Sequence, residues 1–223
     1  MPLSVSCLCG YLANASIRWR SEDYDSYKWI QALKGKELNK YALVPVRGET
    51  RRLSNENLPR AAQWFGELAA DYLRKKKISG PFAVVPVPNS SSVVESTVRP
   101  QTRKLARAIC DELEDDSMVL DCLRWKKNLG SASKEGGPRE AEILYGNLAF
   151  LSEALDELTE GQEFKVLLVD DVTTSGGHLR ACAAKLKTKK VIVDAVICGG
   201  KTVYDQERRA FSIREYSLDE YQP

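Results

Sequence analysis

The chain has 223 residues, 43% hydrophobic and 29% charged, with a formal net charge of +2. That length buries one full core, or a core plus a small appendage, and the near-neutral balance gives no push toward nucleic acid or a membrane surface. No stretch reaches the roughly 18 apolar residues of a spanning helix, and the start MPLSVSCLCGYL has no basic region followed by a long apolar run. Four of the six cysteines fall inside apolar patterns, where a thiol acts as a small hydrophobe, so a cytoplasmic chain with reduced thiols is expected.

In chain order, residues 24–33 read as a short helix and 42–46 as a short apolar strand. Residues 58–77 carry Ala61, Phe65, Leu68, Ala69 and Tyr72 at helical spacing, opened by Asn57 and Pro59 and stopped by Gly80–Pro81. Residues 82–87 form a continuous apolar run, as in a strand buried on both faces, and lead into the polar loop PVPNSSS. Residues 99–113 read as helix and 118–123 as strand. Residues 124–140 form a long polar loop, and 148–158 a strand then helix at the sheet edge. Basic clusters at 51–52, 74–77 and 185–190 read as solvated helix faces and ends.

The clearest unit is residues 165–198. Val166–Val169 is a strand ending in Asp170 and Asp171; a glycine turn follows; Leu179, Ala183 and Leu186 mark a helix; 191–198 is the next strand. Strand, helix, strand over about 34 residues is the spacing of a right-handed parallel crossover, so an α/β sheet is the natural fold class. Ligands of such sheets sit beyond the carboxyl ends of the strands.

The segment VLLVDDVTTSGGHL, Val166 to Leu179, carries the chemistry. Thr174, Ser175, Gly176 and Gly177 stand at a helix start, where unpaired amides and the helix dipole favour a phosphate. The adjacent carboxylates would repel a phosphate directly. Sugar hydroxyls, or a divalent cation, resolve that conflict, so a ribose 5-phosphate suits the pattern.

This segment resembles the phosphoribosyl-pyrophosphate signature of type I phosphoribosyltransferases. The resemblance implies a parallel sheet flanked by helices, with a small variable hood. It puts Asp170 and Asp171 on the ribose hydroxyls, and Thr174, Ser175, Gly176, Gly177 and His178 on the 5-phosphate. His178, the only histidine, stands where the family usually has threonine or another small donor. VVPVPNSSS, Val84 to Ser92, resembles the family's pyrophosphate loop. That implies diphosphate contacts from Asn89, Ser90 and Ser91, joined by Arg99 and Arg103. The loop 124–140 stands where the family has its flexible catalytic loop. The implied catalytic set is Asp170, Asp171, Lys126 and Arg139, with Lys127 a further candidate. Mg²⁺ is the implied cofactor, held by Asp170 and Asp171 directly or indirectly.

Among the family's branches, the ComF-like group is the nearest in YKWIQALKG, with its Leu33–Lys34 pair, in LAR at 105–107 and in PREAEILYGNLAF at 138–150. That group's zinc ribbon needs two cysteine pairs, whereas only Cys7 and Cys9 stand near the start, so no four-ligand zinc site is expected. The expected organisation is an amino-terminal segment and hood over 1–40, a core over 41–200 and a tail over 201–223.

The resemblance implies transfer of ribose 5-phosphate from phosphoribosyl pyrophosphate to a small-molecule nitrogen acceptor. The partners are then that donor and the acceptor, with no nucleic acid or membrane, and with homodimerisation open. Trp19, Tyr24, Tyr27 and Trp29, or Tyr204 and Phe211 of the tail, are candidates to stack on the acceptor; aromatics at helical spacing are otherwise core. A phosphate loop of the GxxxxGK[ST] type and a GxGxxG turn are both missing. The rival reading is a non-catalytic sensor of phosphoribosyl pyrophosphate, or a ComF-like protein linked to DNA uptake.

Overall fold

The computed structural model describes residues 2–128, 130, 140–151 and 164–223. In chain order these form β1 (Leu3–Leu12), α1 (Ser21–Leu33), β2 (Ala42–Val46), β3 (Glu49–Leu53), α2 (Arg60–Lys76), β4 (Phe82–Pro86), α3 (Thr102–Leu113) and β5 (Met118–Val119). There follow β6 (Leu123–Trp125), α4 (Ala141–Asn147), β7 (Leu148–Phe150), β8 (Lys165–Thr173), α5 (Gly177–Lys187), β9 (Val193–Val203) and β10 (Arg214–Leu218).

Six strands make the central sheet, in the order β10-β1-β9-β8-β4-β5. All neighbours are parallel except β1 and β10. The chain is therefore an α/β fold with a mostly parallel sheet flanked by helices, as the alternation of strand and helix patterns implied. Apolar residues alternate between two cores. Phe82, Val84, Leu167 and Val169 point to the layer of α1, α2 and α3. Ala83, Val85, Val166 and Leu168 point to the layer containing α4, α5 and the β6–β7 hairpin. Strands buried on both faces read as unbroken apolar runs for this reason.

Several sequence expectations shift. Residues 3–12, set apart as an amino-terminal segment, form an interior strand between β9 and β10, and the tail supplies β10. Arg51 and Arg52 lie on β3 of a hairpin with β2, not on a helix. Arg124 and Trp125, read as polar loop, are buried in β6, which pairs with β7 away from the central sheet. Residues 148–150 are thus not at the central sheet's edge, and the helix expected over the following residues lies outside the described ones.

Helix α1 packs directly on the sheet at two glycines. Asp23 accepts the Arg20 backbone N–H at 2.8 Å, fixing its first turn. Ile30 and Leu33 then press onto Gly199 and Gly200 of β9. A Cβ at Gly199 would run into Leu33 and come within 2.6 Å of the Asp171 carbonyl oxygen; one at Gly200 would lie 2.8 Å from Ile30. Two strand glycines, which otherwise weaken a strand, leave room for the helix.

Gly199→Ala is expected to cost about 1–3 kcal/mol by overpacking this contact. Gly146→Ala, in α4 with nothing within 4 Å of the added carbon, is the control. It is expected to be neutral or to stabilise by about 0.5–1 kcal/mol. Urea unfolding of both variants checks the pair.

Candidate functional site

Strand β8 has two neighbours of unequal length. On one side β4 pairs with it only from Phe82↔Lys165 to Pro86↔Val169. The Val87 N–H makes a last bond to the Val169 carbonyl, 2.9 Å. Pro86 and Pro88 have no N–H to give a ladder, so the chain leaves the sheet there. On the other side β9 follows β8 as far as Thr173↔Lys201. Asp170 and Asp171 therefore do not close the strand, as the sequence suggested. They lie within it, beside a neighbour that has ended.

The gap is a cleft of about 210 Å³. Lys34, Asn89, Ser90, Asp170, Asp171 and the run 172–178 line it. This one opening brings together the acid pair, the Thr174–His178 turn, and Asn89 and Ser90.

The two carboxylates are unequal. The Asp170 side chain accepts the Asp171 backbone N–H at 2.8 Å. Burial, then the neighbouring Asp171 charge, pushes its pKa well above the usual carboxylate range; Lys34 opposes this. Asp171 faces Lys34, with Nζ 3.1 Å from Oδ1 and side chains 24% and 14% exposed respectively. Burial works against the Lys34 charge, but the attraction of Asp171 and its hydrogen bond outweigh that and raise the lysine's pKa.

The turn before α5 is held from behind. Gly176 has φ +78°, a left-handed conformation that suits glycine, and an added Cβ would strike Leu218 of β10. That glycine serves the bend and the packing of β10; substituting it would disturb more than a phosphate contact. The Thr174 hydroxyl lies 2.8 Å from that of Thr202, and its carbonyl accepts from Lys201. Ser175 is exposed, whereas Gly176 and Gly177 are buried residues that still line the cleft. Amides of a first helical turn have no acceptor within the helix and so suit an anion. His178 meets Trp125 edge-on, with ring centroids 5.6 Å apart. Burial lowers its pKa, with Asp171 opposing, so at pH 7 it is a neutral donor.

The remaining expected site residues lie elsewhere. Ser91 is exposed, and its hydroxyl accepts from Asn89 at 2.8 Å outside the cleft lining. Arg99 and Arg103 turn to Asp121, at 3.2 and 3.5 Å, where Arg124 also binds the same carboxylate at 2.6 Å. Arg124 and Asp121 are both buried, and a buried cation demands such a partner. Lys126 donates to the Gly146 carbonyl, 2.8 Å. Arg139 lies outside the described residues. Lys34 was not among the expected site residues; nothing local in the sequence indicates that α1 ends against Asp171.

Among the described residues no group of three or more histidine, cysteine or acidic side chains is placed to hold a metal. Asp170 and Asp171 offer two carboxylates, one of them engaged by Lys34. That set fits a Mg²⁺ ion delivered by a phosphorylated ligand, which keeps most of its other oxygens, and not a protein-built cage. Among the described residues no helix is long and apolar enough to cross a membrane. No family model matches this chain, and no curated protein matches it.

Asp170 keeps its proton to higher pH in the folded chain than in the unfolded one. Its ionisation therefore removes stability as pH rises from the ordinary carboxylate range, near 4, through the raised folded pKa. Asp170→Asn is expected to raise Tm at pH 7, with each kcal/mol worth about 2–4 °C at this size. The gain should vanish below about pH 4, as thermal melts across pH will show.

Proposed function

We propose that this chain binds 5-phosphoribosyl 1-pyrophosphate in the β8–α5 cleft and acts as a phosphoribosyltransferase of the type I kind, nearest the ComF-like group. The observation that carries this reading is the meeting of Asp170 and Asp171 with the first turn of α5 in one opening of a parallel sheet.

The chain's residues divide the work by charge. The amides of the turn from Ser175 to His178, with the Ser175 hydroxyl, take the 5-phosphate. Asp171 and Asp170 accept from the ribose hydroxyls. Because Asp170 is pushed toward its protonated form, Asp171 is the stronger acceptor of the two. Asn89 and Ser90 face the same opening from the end of β4 and meet the diphosphate. Mg²⁺ carried with the diphosphate would neutralise its charge as it departs. The protein's part is to hold the ribose while charge develops at its reacting carbon.

Acceptor binding falls to the aromatic group beside α1. Tyr11 stacks on Tyr27 at 5.5 Å, and Trp19 packs against Tyr24 and Tyr27. Tyr27, Gln31 and Lys34 share one helix face, so this group lies about 10 Å along α1 from the lysine that meets Asp171. Trp29 and Phe211 are excluded from the role, since Trp29 is fully buried and packs against Phe211 at 5.7 Å.

A second reading has one observation in its favour. Among the described residues, Lys34 is the only lysine or arginine lining the cleft, because Arg99, Arg103 and Lys126 are engaged elsewhere. A non-catalytic sensor of the same ligand needs no further cation.

Pyrophosphate release from phosphoribosyl pyrophosphate and Mg²⁺, measured against a panel of nitrogen bases, separates the two readings. Release that depends on an acceptor is expected; tight binding without turnover would favour the sensor. The double variant Asp170→Asn, Asp171→Asn should stay folded and lose affinity by about tenfold or more. Wild-type affinity in that variant would remove the ribose role.

A further inference from the structure

We infer that Lys34 is an exchangeable counter-ion: it holds Asp171 while the cleft is empty and passes to the second anionic group of an incoming ligand, which frees Asp171 for the sugar. This rests on the sugar-phosphate reading of the cleft and adds an order of events to it.

Lys34 joins a fixed backbone to a movable charged head. Its backbone is fixed: Leu33 is buried, and the Lys34 N–H donates to the Ile30 carbonyl at 3.1 Å. Gly35, at φ +73°, turns the chain away directly afterwards. The ammonium, by contrast, sits on a four-carbon stem whose side chain is 24% exposed on the cleft wall. An ammonium is a compact charge with rotatable donors, so it changes partners with less geometric demand than a guanidinium fork.

The cleft favours such a change. Its floor carries two adjacent carboxylates, and an anion entering beside them is repelled unless a cation moves to meet it. With His178 held neutral, Lys34 supplies that cation among the described residues. Its present partner is also the carboxylate best suited to a sugar hydroxyl. While the pair stands, Asp171 is engaged; a ligand with a phosphate and hydroxyls but no second anion must compete with the lysine for it. A ligand that also carries a diphosphate offers the lysine a replacement. Lys34 thus selects for ligands with two anionic ends.

The test uses the full chain and two probes without added metal, ribose 5-phosphate and phosphoribosyl pyrophosphate, followed by titration calorimetry. In Lys34→Met, affinity for phosphoribosyl pyrophosphate should fall by about tenfold or more. Ribose 5-phosphate, relieved of its competitor, should bind as well as to wild type or more tightly. Lys34→Arg, which keeps the charge, should restore much of the lost affinity. Lys34→Gln serves as the neutral variant if the methionine chain does not fold. A purely structural lysine would weaken both probes together. Any loss of ribose 5-phosphate affinity in the neutral variant, or an unchanged affinity for phosphoribosyl pyrophosphate, overturns the exchange while leaving the cleft reading in place. Failure of wild type to bind either probe overturns both.

Discussion

Strand β8 is paired on both sides up to Val169 and on one side thereafter. That mismatch opens the sheet without breaking it. Two prolines end the β4 ladder, while β9 continues to support the backbone of Asp170 to Thr173. Polar side chains can then stand at a half-open strand that keeps its β9 ladder, while the Asp171 N–H is taken by the Asp170 carboxylate. Everything in the cleft depends on this: the carboxylates sit on a rigid strand, and the turn that follows is tied to β9 through Thr202 and Lys201.

The charges in the opening are arranged to differ. Adjacent carboxylates in a partly buried place cannot both ionise freely. One is pressed toward its neutral form by burial and its neighbour, and the other is matched by a lysine from a distant part of the chain. That lysine arrives only because Gly199 and Gly200 allow α1 to lie against the sheet. Backbone packing and site electrostatics are here one problem: the residues that admit the helix also decide which carboxylate is engaged.

Much of this was legible in the sequence, and what was not has a physical cause. The apolar runs at 82–87 and 166–169 announced strands buried on both faces, and the periodicity of α2 was plain. The acid pair and the Ser175–Gly177 turn were found because their chemistry lies within a few residues. Lys34 escaped because its role comes from a contact across more than a hundred residues. Arg99 and Arg103 misled for the opposite reason: nearness in sequence to the Asn89–Ser91 loop suggested a shared ligand, but buried Asp121 binds them instead. The first strand was missed because Cys7 and Cys9 were weighed only against a zinc ribbon. In the fold their small side chains suit an interior strand, with Cys7 beside Cys198.

The place of β1 also bears on how the chain is assembled. Its ladder partners come from far along the chain: Val5 meets Val196, and Leu3 meets Leu218. During synthesis this apolar segment emerges well before β9 and has no sheet to join until β9 exists. Pairings so distant along the chain make for slow folding, and an unpaired apolar strand is open to wrong associations in the meantime. The half of the sheet holding β4 and β8 can form earlier, leaving β1 to be threaded between β9 and β10 as the closing step.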